Sequence, residues 1–353
     1  MDYRTLPGLD RKVSLVGAGC WTIGGPAVND GKPVGWGDVD PDMAFEGLLR
    51  ARERGVTLFD TADVYGMGRS ERLVGRMLRA TGGREDIVIS TKVGYFAGTS
   101  RHPYLPRQID HQFATSLDNL GTDYVDLYHL HSGDFGKRDA YLRPAIVTVQ
   151  RLREQGLIRA VAMRAPHRFA AEWAEQPDHP HHAEARRFLE LFRAVRPNVL
   201  TLRHSLMMAP YALGETDVFS FAAAEGVGVL VKQVLAQGLL LGTYRSDGFG
   251  PGDHRSRKPL DPGLLVLVKE AVEQMRERFG PRRRDLARVA IQYAVHASPD
   301  AVALVGFRNA SQISTTLANA TDPLSDQDVD ALRAVMAPVH ERMKALQFNT
   351  STR

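Results

Sequence analysis

Eight short apolar runs alternate with longer amphipathic runs along this 353-residue chain, and this alternation constrains the fold more than any other feature. The apolar runs have the length and composition of parallel strands that are buried on both faces. The predicted strands span residues 15–19, 57–60, 87–92, 125–131, 158–163, 199–202, 228–232 and 301–305. The predicted helices that follow them span residues 42–54, 70–79, 110–120, 141–155, 182–195, 217–225, 264–279 and 310–320.

Eight strand–helix units in a chain of this length predict an α/β fold, a (β/α)8 TIM barrel that forms one domain over residues 1–353. Residues 3–6 and 12–14 are expected to form an N-terminal β-hairpin across the bottom of the barrel, and 325–345 an extra C-terminal helix. Three long connections follow predicted strands and therefore lie on the C-terminal face, where such barrels carry their active sites. These connections are residues 24–41, 94–107 and 242–262.

Charge and cysteine content narrow the class of protein. A net charge of +4 is too small to argue for a nucleic-acid partner. Cys20 is the only cysteine, so an internal disulfide is impossible and a reducing compartment fits. Because we find no signal peptide and no apolar run of about 18 residues, we expect a cytoplasmic protein with no membrane partner. The sequence does not constrain the oligomeric state.

Four chemically different side chains stand at or just after the ends of successive predicted strands. Asp60, Lys92 and His131 each end a strand, and Tyr65 follows Asp60 in a glycine-framed turn. A tyrosine can donate a proton to a carbonyl oxygen, a lysine anchored by a carboxylate can lower the tyrosine pKa, and an imidazole can orient the carbonyl. The pattern therefore predicts a catalytic group for carbonyl chemistry.

The segments that carry these residues resemble the aldo-keto reductase family over nearly the whole chain. The resembling segments are residues 12–25 (KVSLVGAGCWTIGG), 59–78, 88–94 (VISTKVG), 120–131 (LGTDYVDLYHLH) and 305–313 (VGFRNASQI). The resemblance implies that Tyr65 is the general acid, that Lys92 and Asp60 tune it, and that His131 orients a small-molecule carbonyl substrate. It also implies an NADP(H) cofactor bound extended across the barrel mouth, without a Rossmann fold.

The resemblance extends to the adenosine end of the cofactor. Gln237, Gly238 and Leu240 belong to a segment that resembles the family's pyrophosphate loop, where backbone amides suit an anion. Arg308 and Gln312 match the positions that meet the 2′-phosphate and the adenine, and a planar guanidinium suits a phosphate.

Other residues near the expected mouth have less specific assignments. Cys20 and Trp21 are expected to lie beside the cofactor, Cys20 only as a packing residue. Trp21 and Tyr95 could line the substrate pocket. The basic loop 254–258 could fold over the cofactor. The histidines at 179–182 lack nearby cysteines or paired acids, so we expect no metal site there.

The nicotinamide end departs from the family pattern. Arg164 stands where a Ser-Asn pair usually binds the carboxamide, Thr201 where a glutamine is usual, and Lys232 where an aromatic ring often stacks. Two added positive charges would favour NADPH over NADP⁺, or would recruit an acidic substrate. They could also mean that the ring is held differently or no longer transfers hydride.

Three functions therefore stay open at this stage. The leading interpretation is NADPH-dependent reduction of an aldehyde or ketone, with Tyr65 as the acid. The second is a redox-neutral elimination or epimerisation on the same fold, favoured by the altered nicotinamide end. The third is a non-enzymatic NADP(H) sensor like the potassium-channel β subunits, against which the retained Asp60, Tyr65, Lys92 and His131 argue.

Overall fold

The computed structural model describes residues 1–243, 253–257 and 260–351. Numbered along the chain, its strands are β1 (Tyr3–Leu6), β2 (Arg11–Ser14), β3 (Val16–Gly19), β4 (Val28–Asn29), β5 (Lys32–Pro33), β6 (Leu58–Asp60), β7 (Val88–Val93), β8 (Val125–Leu130), β9 (Ile158–Arg164), β10 (Val199–Arg203), β11 (Gly228–Lys232) and β12 (Ala301–Gly306). Its α-helices are α1 (Pro41–Glu53), α2 (Arg69–Thr81), α3 (Pro106–Leu120), α4 (Leu142–Glu154), α5 (His182–Val195), α6 (Val218–Ala224), α7 (Pro262–Phe279), α8 (Arg283–His296), α9 (Ala310–Leu317) and α10 (Asp326–Ser351).

The predicted (β/α)8 barrel is confirmed. Strand β3 and strands β6 to β12 pair in parallel, in chain order, and β12 closes the ring on β3. All six residues of β7 and all six of β8 are buried, because each strand faces the barrel interior on one side and helices on the other. Each predicted strand is present, with ends shifted by one residue at most.

The N-terminal hairpin is also confirmed. Strands β1 and β2 pair antiparallel, from Tyr3 opposite Ser14 to Leu6 opposite Arg11. The side chains of Leu6 and Val13 are fully buried in a cluster with residues from inside the barrel. Apolar burial of this kind stabilises a fold by about 1.5–3 kcal/mol for each large side chain. The hairpin therefore fills the lower end of the barrel and leaves the opposite end for function.

The region between β11 and β12 differs from the prediction, which placed one helix there. The described residues of this region form two α-helices, α7 and α8. Helix α8 buries its residues from Leu286 to Val295 except Arg288 and contacts β12, so it occupies the barrel position. A helix that is apolar around most of its surface lacks the periodicity that reveals amphipathic helices, which explains why α8 was missed. Helix α7 is the addition, and it packs against α8 and α10.

Two further expectations concern the ends and the environment of the chain. The extra C-terminal helix is present as α10, which continues six residues beyond the predicted end at 345. Within the described ranges, no helix combines the length and the apolar content that a membrane crossing requires. The assignment of 1–353 to one domain stays a prediction.

Candidate active site

A cavity of about 780 Å³ opens among the C-terminal ends of the barrel strands. This volume lies within the range of small-molecule and cofactor sites. Its lining includes Asp60, Tyr65 and His131 at one side and Arg308 and Gln312 at another. Most of the residues predicted for chemistry and for cofactor binding therefore border one space, whereas Lys92, Cys20 and Leu240 are not part of its lining.

The barrel strands bring three of the four predicted catalytic residues together. Asp60 ends β6, Lys92 lies near the end of β7, and His131 directly follows β8. Tyr65 lies in the turn after β6, where its backbone N–H donates to the Ala62 carbonyl at 3.1 Å. At Gly66, with a φ of +63°, an added Cβ would lie 2.1 Å from the Gly24 carbonyl oxygen. Only glycine permits this close crossing of two loops, and the crossing fixes the turn that carries Tyr65.

The four side chains form a contact network. The Lys92 ammonium lies 2.8 Å from the Asp60 carboxylate and also donates to the Thr61 carbonyl. The Lys92 Nζ atom is 4.9 Å from the centre of the Tyr65 ring. The rings of Tyr65 and His131 are 6.0 Å apart and nearly perpendicular. The phenol and the imidazole can therefore both approach one small group in the cavity.

The pKa shifts of Tyr65 and His131 suit a protonated acid and a neutral hydrogen-bond donor. Burial raises the pKa of Tyr65 well above its usual range, and the Asp60 charge raises it further. This direction is opposite to the predicted lowering by Lys92, because burial is the largest effect on the Tyr65 pKa and the Asp60 charge acts in the same direction. Burial, together with the charge of Lys92, lowers the pKa of His131 well below its usual range. His131 is therefore a neutral imidazole.

A hydrogen-bonded chain behind Asp60 was missed by the sequence analysis. Ser90 Oγ donates to Asp60 Oδ1 at 2.6 Å and lies 2.8 Å from His129 Nε2. The other ring nitrogen, His129 Nδ1, lies 3.3 Å from the Thr201 hydroxyl. Burial lowers the pKa of His129 to about 3, so the neutral ring donates to Ser90 and accepts from Thr201. These hydrogen bonds hold the Asp60 carboxylate toward Lys92. The only sequence signal for them was the alternation of His129 with His131.

The end of the cavity where adenosine binding is predicted is built around Arg308 and a carboxylate that the sequence analysis did not single out. Arg308 Nη2 lies 3.3 Å from Asp253 Oδ2, and Arg255 also pairs with Asp253, at 2.8 Å. Both guanidinium groups lie over the ring of Trp36, at 5.8 Å and 4.9 Å. The Arg308 backbone N–H donates to the Gln312 side chain at 2.9 Å. Of the loop 254–258, Lys258 lies outside the described residues.

The residues present fit a dinucleotide at this end. Gly238 has a φ of +95°, and an added Cβ would lie 2.9 Å from the Thr243 hydroxyl, so the loop at Gln237 and Gly238 depends on glycine. Both residues line the cavity. The Leu240 side chain is fully buried and does not line it, which leaves only its backbone available for binding.

Cys20 and Trp21 have different positions although they are neighbours. Trp21 lines the cavity, with its ring 6.2 Å from that of Tyr65. Cys20 is fully buried outside the cavity lining, and burial raises the pKa of its thiol. Cys20 is therefore a packing residue and lacks the low thiol pKa that a nucleophile needs.

The end of the cavity where nicotinamide binding is predicted has more basic side chains than expected. Arg164 and Lys232 line the cavity as expected, and Arg203 and His167 join them. Arg164 lies 3.2 Å from the Tyr95 hydroxyl and 3.0 Å from His167 Nε2. Burial, together with the charge of Arg164, lowers the pKa of Lys232 to about 7. Lys232 is therefore only partly charged at neutral pH, in contrast to the full charge assumed from the sequence.

The histidines near α5 pack on an aromatic ring. His179 and His181 both stack on Trp173, with ring centres 4.5 Å and 5.0 Å apart from it. In the described part of the chain, no three His, Cys, Asp or Glu side chains are grouped to hold a metal ion.

A comparison with known proteins agrees with the site. A sequence profile of the Aldo/keto reductase family matches residues 16–337. The chain belongs to this family of oxidoreductases, which act on small carbonyl compounds and bind nicotinamide cofactors.

Individual relatives are similar over most of their length. The Aldo-keto reductase YhdN of Bacillus subtilis (strain 168) is 27% identical over 329 residues, which cover 89% of this chain and 87% of that protein. The NADH-specific methylglyoxal reductase of Escherichia coli (strain K12) is 27% identical over 347 residues, which cover 94% and 97%. The solved structure of glycerol dehydrogenase AKR11B4 from Gluconobacter oxydans has the same fold, with a TM-score of 0.72, 24% identity and coverage of 96% and 95%.

Proposed function

We propose that this protein reduces an aldehyde or ketone with NADPH, with Tyr65 as the general acid. The observation that carries the proposal is the network of Asp60, Lys92, Tyr65 and His131 at the cavity that also contains Arg308. Family membership supports carbonyl reduction, while the acid, the cofactor and the substrate are our assignments.

The bound nicotinamide would supply the hydride, and the protein's own groups handle the oxygen and its proton. The neutral imidazole of His131 donates a hydrogen bond to the carbonyl oxygen and polarises it. Tyr65 holds its proton until charge develops on that oxygen, then gives the proton up. The Lys92 cation, 4.9 Å from the Tyr65 ring, stabilises the phenolate left behind. Asp60 and the chain through Ser90 and His129 fix the Lys92 ammonium in place.

The first prediction concerns the choice of cofactor. We expect NADPH to bind more tightly than NADH, and Arg308→Ala to lower the affinity for NADPH by about 10- to 100-fold with little effect on NADH, because a charge-assisted contact to the 2′-phosphate is lost. Asp253→Asn should shift the preference the other way, since Asp253 competes for Arg308. Fluorescence titrations with both cofactors measure this. Equal affinities for NADPH and NADH in the unmodified protein would refute the NADPH assignment. NADH is a meaningful comparison, because the Escherichia coli relative is named as NADH-specific.

The second prediction concerns the redox state of the cofactor. The reduced ring is neutral and the oxidised ring is cationic, so a charged Lys232 should favour NADPH over NADP⁺. Because the pKa of Lys232 is about 7, its charge is present below pH 7 and lost above it. The groups that act on Lys232 are Arg164, Lys92, Asp60 and Arg203. The ratio of the NADP⁺ and NADPH dissociation constants should therefore be larger at pH 6 than at pH 9.

The variant Lys232→Met should remove this pH dependence, because it replaces the titrating group by a neutral side chain of similar length. If the unmodified protein binds both forms equally at both pH values, Lys232 does not act on the ring. The nicotinamide then lies elsewhere in the cavity.

The second candidate function is a redox-neutral elimination or epimerisation. It is favoured by one observation, the replacement of the carboxamide partners: Thr201 is turned to His129 and does not line the cavity. In that case NADPH would not be consumed while the carbonyl compound is converted. A sensor without chemistry is less well supported, because the proton-donating network around Tyr65 is complete.

A further inference from the structure

Three basic side chains stand side by side at the C-terminal ends of three adjacent strands. Arg164 ends β9, Arg203 ends β10 and Lys232 ends β11. Arg203 and Lys232 are paired in the register of β10 and β11, and Arg164 pairs with Thr201, two residues before Arg203. All three line the cavity. These three side chains form one continuous basic surface on the cavity, which we call the basic wall.

The basic wall has no acidic partner in contact. Among the residues that the structure describes, neither the Arg203 nor the Lys232 side chain makes a hydrogen bond or an ion pair, and Arg203 Nε is buried without a partner. Arg164 donates only to neutral groups, the Tyr95 hydroxyl and the His167 ring. Burial lowers the pKa of His167 to about 4, so His167 is a neutral acceptor.

This arrangement contrasts with the three arginines around Asp126. At the other end of the barrel the fully buried Asp126 accepts from Arg11 at 2.8 Å and Arg84 at 2.9 Å, and it lies 3.3 Å from Arg159. Half-buried cations without a counter-charge are unfavourable for folding, because they lose hydration without gaining a partner. An unpaired group of this kind in a cavity is typical of a site where a ligand supplies the opposite charge.

We propose that the basic wall of Arg164, Arg203 and Lys232 binds an oxyanion on the substrate, so that the preferred substrates are carbonyl compounds that also carry a carboxylate, sulfonate or phosphate. This inference rests on the proposed reduction for its choice of substrate. Arg164 connects the wall to the reaction centre, because it contacts Tyr95, whose ring lies 4.6 Å from that of His131. An anion on the wall would thus lie within one small molecule's length of the carbonyl that His131 orients.

The first test compares aldehydes that differ only in charge. In the presence of NADPH, 4-formylbenzoate and 4-formylbenzenesulfonate should have higher kcat/KM values than methyl 4-formylbenzoate. In Arg203→Met the ratio of acid to ester should fall by about 10- to 100-fold, since a charge-assisted contact is lost. Arg203→Lys should keep part of the ratio because it keeps the charge. Arg193→Met on the exposed side of α5 is the matched control, and it should leave the ratio unchanged.

The second test measures binding without turnover. Isothermal titration of the unmodified 353-residue protein with 4-(hydroxymethyl)benzoate, its sulfonate analogue and its methyl ester should show tighter binding of both anions. Arg203→Met should reduce the difference by about 10- to 100-fold, as in the first test, while thermal unfolding shows an intact fold. The titrations are repeated at saturating NADPH, because the proposed function places the nicotinamide ring beside Arg164 and Lys232.

The two tests separate this inference from the proposed function. Turnover of acid and ester with equal kcat/KM, unaffected by Arg203→Met, would overturn the oxyanion site and leave the reductase intact. Anion binding that depends on Arg203 without any NADPH consumption would support the site and count against the reductase. Displacement of the anions by NADPH would also overturn the inference, because the wall would then belong to the cofactor.

Discussion

Replacing Tyr65 by phenylalanine is expected to lower turnover by roughly 10²–10⁴-fold, the range for loss of a general acid. The reason is geometric, since the Tyr65 ring faces His131 at 6.0 Å and shares its carbonyl pocket. Affinity for NADPH should change little, because the variant removes one hydroxyl at the substrate side. Steady-state turnover and fluorescence titration measure the two effects separately.

The matched control is Tyr124→Phe, which removes a phenol hydroxyl next to β8 on the side of Arg84 and Arg159, far from the cavity. This control should keep full turnover. If Tyr65→Phe also keeps it on a substrate that the unmodified protein reduces, another group supplies the proton.

Lys92→Met is the second variant with a large expected effect, and it should act on both turnover and stability. Turnover should fall as far as in Tyr65→Phe, because the developing phenolate loses its neighbouring cation. Stability should fall by about 3–5 kcal/mol, because the Asp60 carboxylate is left buried without its partner. The side chains of Lys92 and Asp60 are only 4% and 8% exposed, so solvent compensates little.

The double variant Lys92→Met with Asp60→Asn separates the two effects. It removes both charges, so the free energy of unfolding in urea should recover in large part. Turnover should stay low, because the cation is still missing. Recovery of turnover together with stability would show that Lys92 is needed only for the fold.

The barrel could be predicted because its signals are local. Each strand is an apolar run of its own, and most of the helices between them have one apolar stripe, so eight units could be counted directly. Helix α8 was not predicted because its buried surface extends around the helix and removes the stripe. The same limit affects any segment whose neighbours cover it on nearly all sides.

The clustering of the four candidate catalytic residues could be predicted because strand ends fix their location. The rule that parallel strands end on one face was sufficient to predict that Asp60, Lys92 and His131 lie close together. The basic wall was predicted in part, since Arg164 and Lys232 stood out against a family pattern whereas Arg203 did not. The pairing of Asp253 with Arg308 could not be predicted, because it joins residues 55 positions apart in the sequence and no local pattern marks Asp253.

The central claim is that hydride passes from NADPH to a carbonyl carbon while Tyr65 donates the proton. It is tested most directly with NADPH carrying deuterium on both C4 positions of the nicotinamide. The protein is incubated with this cofactor and 4-formylbenzoate or its methyl ester, and the products are analysed by mass spectrometry. The account predicts an alcohol with one deuterium on the former carbonyl carbon for each NADPH consumed, and loss of this product in Tyr65→Phe. Conversion of the carbonyl compound without label and without NADPH consumption, or NADPH bound tightly with no alcohol formed from either aldehyde, would contradict it.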